Sequence, residues 1–158
     1  MIEILCGTIA SGKSTYASQK AKEGWIVIND DAIVLGVHGG NYTYKEELKA
    51  FYKSIETHIL HMAIALGKNV IVDRGINLTK NSRKRWIALA KSLDTPINAI
   101  IFPFASPQTH AHRRFNSNSR GLSYEKWEKI ATRHIESYQP PTMDEGFDSI
   151  RSENYEHS

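Results

Sequence analysis

The chain has 158 residues, a single cysteine, 20 basic and 17 acidic side chains and a net charge of +3. That length can bury a core without disulfides or a structural metal, Cys6 has no partner for an internal bridge, and no apolar run approaches the ~20 residues of a membrane span. The apolar N-terminal run is too short for a signal peptide and is interrupted by Glu3, so we expect one domain, 1–158, in the cytoplasm and without a membrane partner.

Taken in chain order, short apolar runs alternate with helical patterns. IEILC (2–6) predicts a strand, KSTYASQKAKE (13–23) a helix and WIVIN (25–29) a second strand. A long helix is predicted over 43–67, opened by a Thr43-x-x-Glu46 capping box and closed by Gly67. NVIVD (69–73) predicts a buried strand, 80–93 a helix and 97–104 another strand. Ser106 and Pro107 signal the start of a helix through Phe115, and Ser123 that of a helix to about Tyr138. A loop then returns to a last strand near Ile150. Apolar strands alternating with helices predict an α/β fold, a parallel sheet of about four to five strands covered on both faces.

Between the first strand and the first helix the chain reads CGTIASGKST. Gly7 and Gly12 bracket four residues, and Lys13 and Ser14 follow, the G-x-x-x-x-G-K-[ST] spacing of a phosphate-cradling loop. Backbone N–H groups of Gly7, Thr8, Ile9, Ala10, Ser11, Gly12 and Lys13 through Thr15 would face phosphate at the positive end of a helix. Lys13 would reach the β- and γ-phosphates of ATP, and Ser14 would hold Mg²⁺.

In parallel sheets ligands sit at the carboxyl ends of the strands. Asn29-Asp30-Asp31 ends the second strand and Asp73 the third, so these carboxylates should face the same crevice as the loop. Phosphoryl transfer to a hydroxyl needs a carboxylate to orient it and take its proton. Asp31 is the candidate, with Asp30 as the alternative. Asp73 reads either as a Mg²⁺ carboxylate or as an acceptor contact, and Arg74 as an acceptor-phosphate ligand or a solvated charge. HRRFNSNSRG (112–121) places Arg113, Arg114 and Arg120 between two helices, a mobile lid over a triphosphate, with Arg120 preferred.

Charge is uneven along the chain. Residues 74–120 hold nine basic side chains against one acidic one, a net +8, and the remainder is −5. An anionic partner would explain this, although Lys80, Lys84 and Lys91 also fit a solvated helix stripe. The seven histidines show no metal-ligand spacing, and His58 and His61 read as helix surface. Trp25 and Trp86 fit core positions. Trp127 reads as core or as a base-stacking ring.

The ordered set GTIASGKSTYA, INDDA, VIVDRGINLTKNSRKRW and RRFNSNSRG resembles the P-loop polynucleotide kinase family, above all its phage-type kinase domains, which phosphorylate 5′-hydroxyl ends of DNA or RNA. The ending YQPPTMDEGFDSI is similar to endings in animal members and in related small P-loop kinases. The resemblance implies a P-loop kinase fold with an arginine-bearing lid (about 112–123). It implies that Lys13 and Ser14 hold ATP phosphates and Mg²⁺, that Asp31 is the base for the 5′-hydroxyl, that Arg120, with Arg114, is the lid cation, and that Asp73 lies on the acceptor side. Two positions depart from the family. Val34 stands where an arginine usually grips acceptor phosphate, and Ala10 where glycine is frequent. No D-x-D-G-T phosphatase motif occurs, so end repair would be limited to the kinase step. The competing readings are a kinase for a nucleoside, nucleotide or other small hydroxyl acceptor, and a nucleotide-dependent binding module without transfer. No stable protein partner is predicted, and the long helix is available to an oligomer interface.

Overall fold

The computed structural model describes residues 1–75, 77–118 and 120–154. Ile76 and Ser119, which fall within the two motif segments, and residues 155–158 lie outside the described residues. Five strands, β1 (Ile2–Cys6), β2 (Ile26–Asn29), β3 (Val70–Asp73), β4 (Ile97–Ile101) and β5 (Ser149–Ser152), form one parallel sheet in the order β2-β3-β1-β4-β5. The helices are α1 (Lys13–Lys22), α2 (Asp30–Val37), α3 (Lys49–Ala65), α4 (Lys80–Ser92), α5 (Pro107–Asn118) and α6 (Tyr124–Ser137).

Alternation along β1 divides the core. Ile2, Ile4 and Cys6 face one side with Leu60 of α3 and Trp86, Ile87 and Ala90 of α4. Leu5 faces the other with Tyr16 and Ala17 of α1, Ile71, Ile100 and Phe102. All three β1 residues of the first side are fully buried. Burial also pushes the Cys6 thiol up to about 12, which leaves it an inert core group. Strand β1 lies between β3 and β4, and the chain winds away from it in both directions. Its carboxyl end is therefore the switch point of the sheet, where a crevice must open.

Most predicted elements are present, with four differences. Helix α2 was not anticipated. Its sequence DDAIVLGV is short, β-branched and contains Gly36, yet Asn29 caps it by accepting from the Ala32 N–H at 2.8 Å. The Thr43–Glu46 capping box does not form. A 3₁₀ turn spans Glu46–Leu48, its preceding residue Lys45 offers no side-chain cap, and α3 proper starts at Lys49. Strand β4 stops at Ile101, three residues early. Helix α5 runs to Asn118, so Arg113 and Arg114 stand on a helix and not on a mobile connection. The cap Ser106 does form, accepting from the Thr109 N–H at 3.1 Å, as does the Ser123 cap of α6.

Candidate active site

The loop after β1 is shaped by close approach. A Cβ on Gly7 would lie 2.6 Å from Ser11 Oγ and 2.8 Å from Phe102 Cβ, so only glycine fits. Gly12 starts α1 at φ 99°, and Ala10 takes φ 50°. That left-handed angle explains why glycine suits position 10, and an alanine there costs about 1–2 kcal/mol. The first turn of α1 has no acidic residue and no side-chain cap, so its N–H groups and positive end are open to an anion. Ser14 and Thr15 are exposed.

Lys13 is buried and turned back on its own loop. Its Nζ donates to the Gly7 carbonyl at 2.9 Å and to that of Thr8, with Ser11 Oγ at 3.4 Å. Burial lowers its pKa, and the nearby Asp73 charge opposes that shift. To reach β- and γ-phosphates the ammonium must exchange carbonyls for phosphate oxygens within the same loop.

Three strand ends converge here. Asp73 Oδ2 accepts from Ser14 Oγ at 3.4 Å and from Asn29 Nδ2 at 3.1 Å. Asn29 therefore does two things, capping α2 with its oxygen and holding Asp73 with its nitrogen. Burial raises the Asp73 pKa against the pull of Lys13, Asn29 and Ser14. A buried carboxylate beside a hydroxyl, partly uncompensated in charge, is an oxygen donor set suited to Mg²⁺, which takes one or two protein oxygens and completes its shell with water and phosphate. Among the described residues there is no cluster of three or more His, Cys, Asp or Glu that could hold a metal. Asn77, buried behind this site, donates to the carbonyls of Val72 at 3.2 Å and Leu5 at 3.4 Å, tying β1 to β3.

Asp30 and Asp31 occupy the first turn of α2. Asp30 is pushed up to about 6, first by burial and then by Asp31, against the pull of Arg74. Asp31 is more open and pairs with Arg120, Nη2 to Oδ2 at 3.0 Å. The Arg120 guanidinium also lies 5.0 Å from the Tyr42 ring centre, and the phenol of Tyr42 is pushed up to about 12 by burial and its contact with Asp31. Asp31, Val34, Tyr42, Tyr44 and Arg74 line one cavity of about 440 Å³.

A second cavity, about 680 Å³, is lined by Ala10–Thr15 of the loop and by His112, Arg113, Arg114, Asn116 and Ser117 of α5. Arg114 stacks on Trp127 at 4.9 Å, and its Nε finds no hydrogen-bond partner among the described residues. Trp127 is thereby buried as a support for this cation and not exposed as a ring for a base. Two histidines dock the α5–α6 pair on the loop. His134 Nδ1 lies 3.1 Å from Thr8 Oγ1, and buried His110 accepts from the Ala105 N–H at 2.9 Å beside Ile9 and Ala10.

The +8 segment is not one positive face. Arg83 is fully buried in a bidentate pair with Glu145, at 2.9 and 3.0 Å. Glu56, buried on α3, takes Arg85 at 2.6 Å and lies 3.0 Å from Arg74 Nε, at ion-pair distance without hydrogen-bond alignment. Arg74 is thus committed to Glu56 and Asp30 and is not a solvated charge. Lys80, Lys84 and Lys91 are exposed, as a solvated stripe requires. Local sequence does not single out Glu56, Tyr42 or either docking histidine, and it marks Asn29 only as the end of the second strand. Glu56 alone left a trace, since it falls on the buried stripe Tyr52, Glu56, Leu60 and Ala63 of α3.

A family model described as an AAA domain, AAA_33, matches residues 2–139. Over 153 residues the chain is 28% identical to a bifunctional polynucleotide phosphatase/kinase of Schizosaccharomyces pombe, covering 94% of this chain and 32% of that protein. The chain thus spans about a third of the length of that curated relative. Among solved structures it is similar to a chain of the Pnkp1/Rnl/Hen1 RNA repair complex, with a TM-score of 0.68 and 18% identity over 86% of this chain and 44% of that one. It is likewise similar to the APS kinase of Mycobacterium tuberculosis bound to AMPPNP and APS, with a TM-score of 0.61 and 15% identity over 98% and 89% of the two chains.

Proposed function

The chain belongs to the AAA_33 family and has the P-loop kinase fold, and from that premise we propose that it transfers the γ-phosphate of ATP to the 5′-hydroxyl end of DNA or RNA. The observation that supports this reading is that Asp31 lines the 440 Å³ cavity and pairs with Arg120 at 3.0 Å. Homology to a polynucleotide phosphatase/kinase over 94% of the chain supports the acceptor class.

In this reading Asp31 accepts the proton of the 5′-hydroxyl as its oxygen bonds to the γ-phosphorus, and the bond from that phosphorus to the β-phosphate bridging oxygen breaks in line. Lys13 leaves the Gly7 and Thr8 carbonyls and follows the charge that develops on the moving phosphoryl group. Arg114, stacked on Trp127, presents its guanidinium to the phosphates, and Arg120 joins it once released from Asp31. Ser14 and Asp73 would hold Mg²⁺ between them. When bound, the metal neutralises phosphate charge and fixes the γ-phosphate for attack. Asp73 is then on the metal side, while Arg74, locked to Glu56 and Asp30, orients α2 and the aspartates.

A small hydroxyl acceptor is the second reading. Val34 is favourable to it, since this buried apolar side chain lines the acceptor cavity where a phosphate-gripping arginine would serve a polymer. The test is transfer of labelled γ-phosphate, with Mg²⁺, to a 5′-hydroxyl oligonucleotide beside nucleosides, a 3′-nucleotide and the Asp31→Ala protein. Label on the oligonucleotide that vanishes with Asp31→Ala is expected. Label only on small acceptors would overturn the proposal in favour of a metabolite kinase, and no label anywhere would leave a binding module.

A further inference from the structure

The acceptor cavity carries an aromatic wall that hydroxyl activation does not need. Tyr42 and Tyr44 are 49% and 45% exposed, on a loop that follows Gly39 and Gly40, both at positive φ. Exposed aromatic rings are ordinarily free to move, but Tyr44 is braced. Its ring packs on buried Tyr52 at 5.5 Å with a 36° tilt, and its phenol donates to Glu46 Oε2 at 2.8 Å. Tyr52 is itself held, 2.7 Å from His38 Nε2 and accepting the Lys45 N–H at 3.3 Å. A ring fixed at both ends and open to a cavity presents a π-face at low entropic cost.

The rest of the cavity is mixed, and Asp30, Glu56, Arg74, Asn81, Ser82 and Arg85 also line it. Asp31 supplies a carboxylate for a hydroxyl, and Lys53, exposed and part of the lining, supplies a charge for an anion. Val34 and the tyrosines supply apolar surface between them. A nucleotide end has a hydroxyl, a flat base and a phosphate, and each finds a counterpart among these residues.

We propose that Tyr44, braced by Tyr52 and Glu46, stacks the terminal nucleobase of the acceptor and so makes the enzyme select 5′-hydroxyl ends that carry a base. This rests on the 5′-hydroxyl reading above and deepens it. Base–aromatic stacking of ordinary strength corresponds to roughly a 5- to 150-fold preference, tolerant of which base is present.

The test compares two oligonucleotides identical except that one has an abasic 5′-terminal nucleotide. Equilibrium binding in the presence of a non-hydrolysable ATP analogue and kcat/KM for transfer are both measured on the full chain. The native protein is expected to prefer the base-bearing end within the range above. Tyr44→Ala should abolish the preference, and Tyr44→Phe, which keeps the ring and loses the Glu46 contact, should retain most of it. Equal handling of the two ends by the native protein, or a preference that survives Tyr44→Ala, overturns the proposal. Transfer to both ends alike leaves the 5′-hydroxyl kinase reading standing without the base site. Base-dependent binding that needs Tyr44, with transfer to neither end, leaves the base site standing and removes the kinase reading.

Discussion

Arg120 and Asp31 hold each other: the guanidinium Nη2 lies 3.0 Å from the carboxylate Oδ2. One is the cation proposed to cover the triphosphate, and the other the base proposed to take a hydroxyl proton. Arg120 sits at φ 49° and is followed by Gly121 at φ 73°, so the pair closes over a left-handed turn. Both side chains are about a third exposed, and such a pair is worth only about 0.2–1 kcal/mol. Nucleotide phosphates, carrying more charge, should displace Asp31 from Arg120.

Competition of this kind has a signature. Asp31→Asn should lower phosphoryl transfer by about 10²- to 10⁴-fold while binding a non-hydrolysable ATP analogue up to roughly fivefold more tightly, because Arg120 is released. Calorimetric titration beside turnover measures both. Weaker nucleotide binding in Asp31→Asn would show that the pair supports the nucleotide site and does not compete with it.

Gly7→Ala tests the loop. The added Cβ meets Phe102 Cβ at 2.8 Å, an atom fixed by the backbone, so rotating Ser11 alone cannot relieve the contact. We expect about 1–3 kcal/mol of destabilisation and loss of nucleotide binding, measured by thermal unfolding with and without ATP. A normal ligand-induced shift in melting temperature would contradict the assigned geometry.

The pair of Arg83 and Glu145 is buried on both sides and joins α4 to the Met143–Glu145 turn. Glu145→Ala leaves an unpaired buried guanidinium, which costs about 3–5 kcal/mol, or roughly 6–20 °C in melting temperature for a chain of this size. The capping contact of Glu145 with the Thr142 N–H at 2.8 Å is lost as well. Differential scanning calorimetry decides this, and a change under about 1 kcal/mol would mean the pair is effectively solvated.

Histidine 134 supplies a pH dependence. Burial, then the Lys13 charge, push it down to about 4 where it meets Thr8. Between about pH 6.5 and 4 the unfolded chain binds this proton and the folded chain does not, so stability is complete above 6.5 and falls as pH drops through that window. His134→Gln should remove this part of the slope. Melting curves of both proteins from pH 7.5 to 4 measure the difference, in which the other titrating groups cancel, and parallel slopes would refute it.

Legibility differed by element for physical reasons. Strands β1 and β3 are readable because each is a short apolar run bounded by breakers, α4 because its apolar stripe is local, and α6 because its stripe and its Ser123 cap are. Helix α2 is not, since its eight residues carry little helical preference and depend on the Asn29 cap and on packing against α3. The false capping box at Thr43 shows the converse: the motif is present, but the chain there bends through positive-φ glycines and enters α3 by a 3₁₀ turn.

By itself the sequence determined the α/β alternation, the phosphate-cradling loop and the arrival of Asp31 and Asp73 at strand ends, because these follow from spacings of a few residues and from the one-way geometry of parallel strands. Only the tertiary structure decided which charges meet. Ser14 finds Asp73 across 59 residues, Arg83 finds Glu145 across 62 and Arg120 finds Asp31 across 89. Glu56 claims Arg74 and Arg85 from a different helix. Such pairings depend on how helices lie on the sheet, which no local pattern encodes. A charge of +8 over one stretch of chain therefore resolves into ion pairs of Arg74, Arg83, Arg85 and Arg120, two arginines on the loop cavity and a solvated lysine stripe.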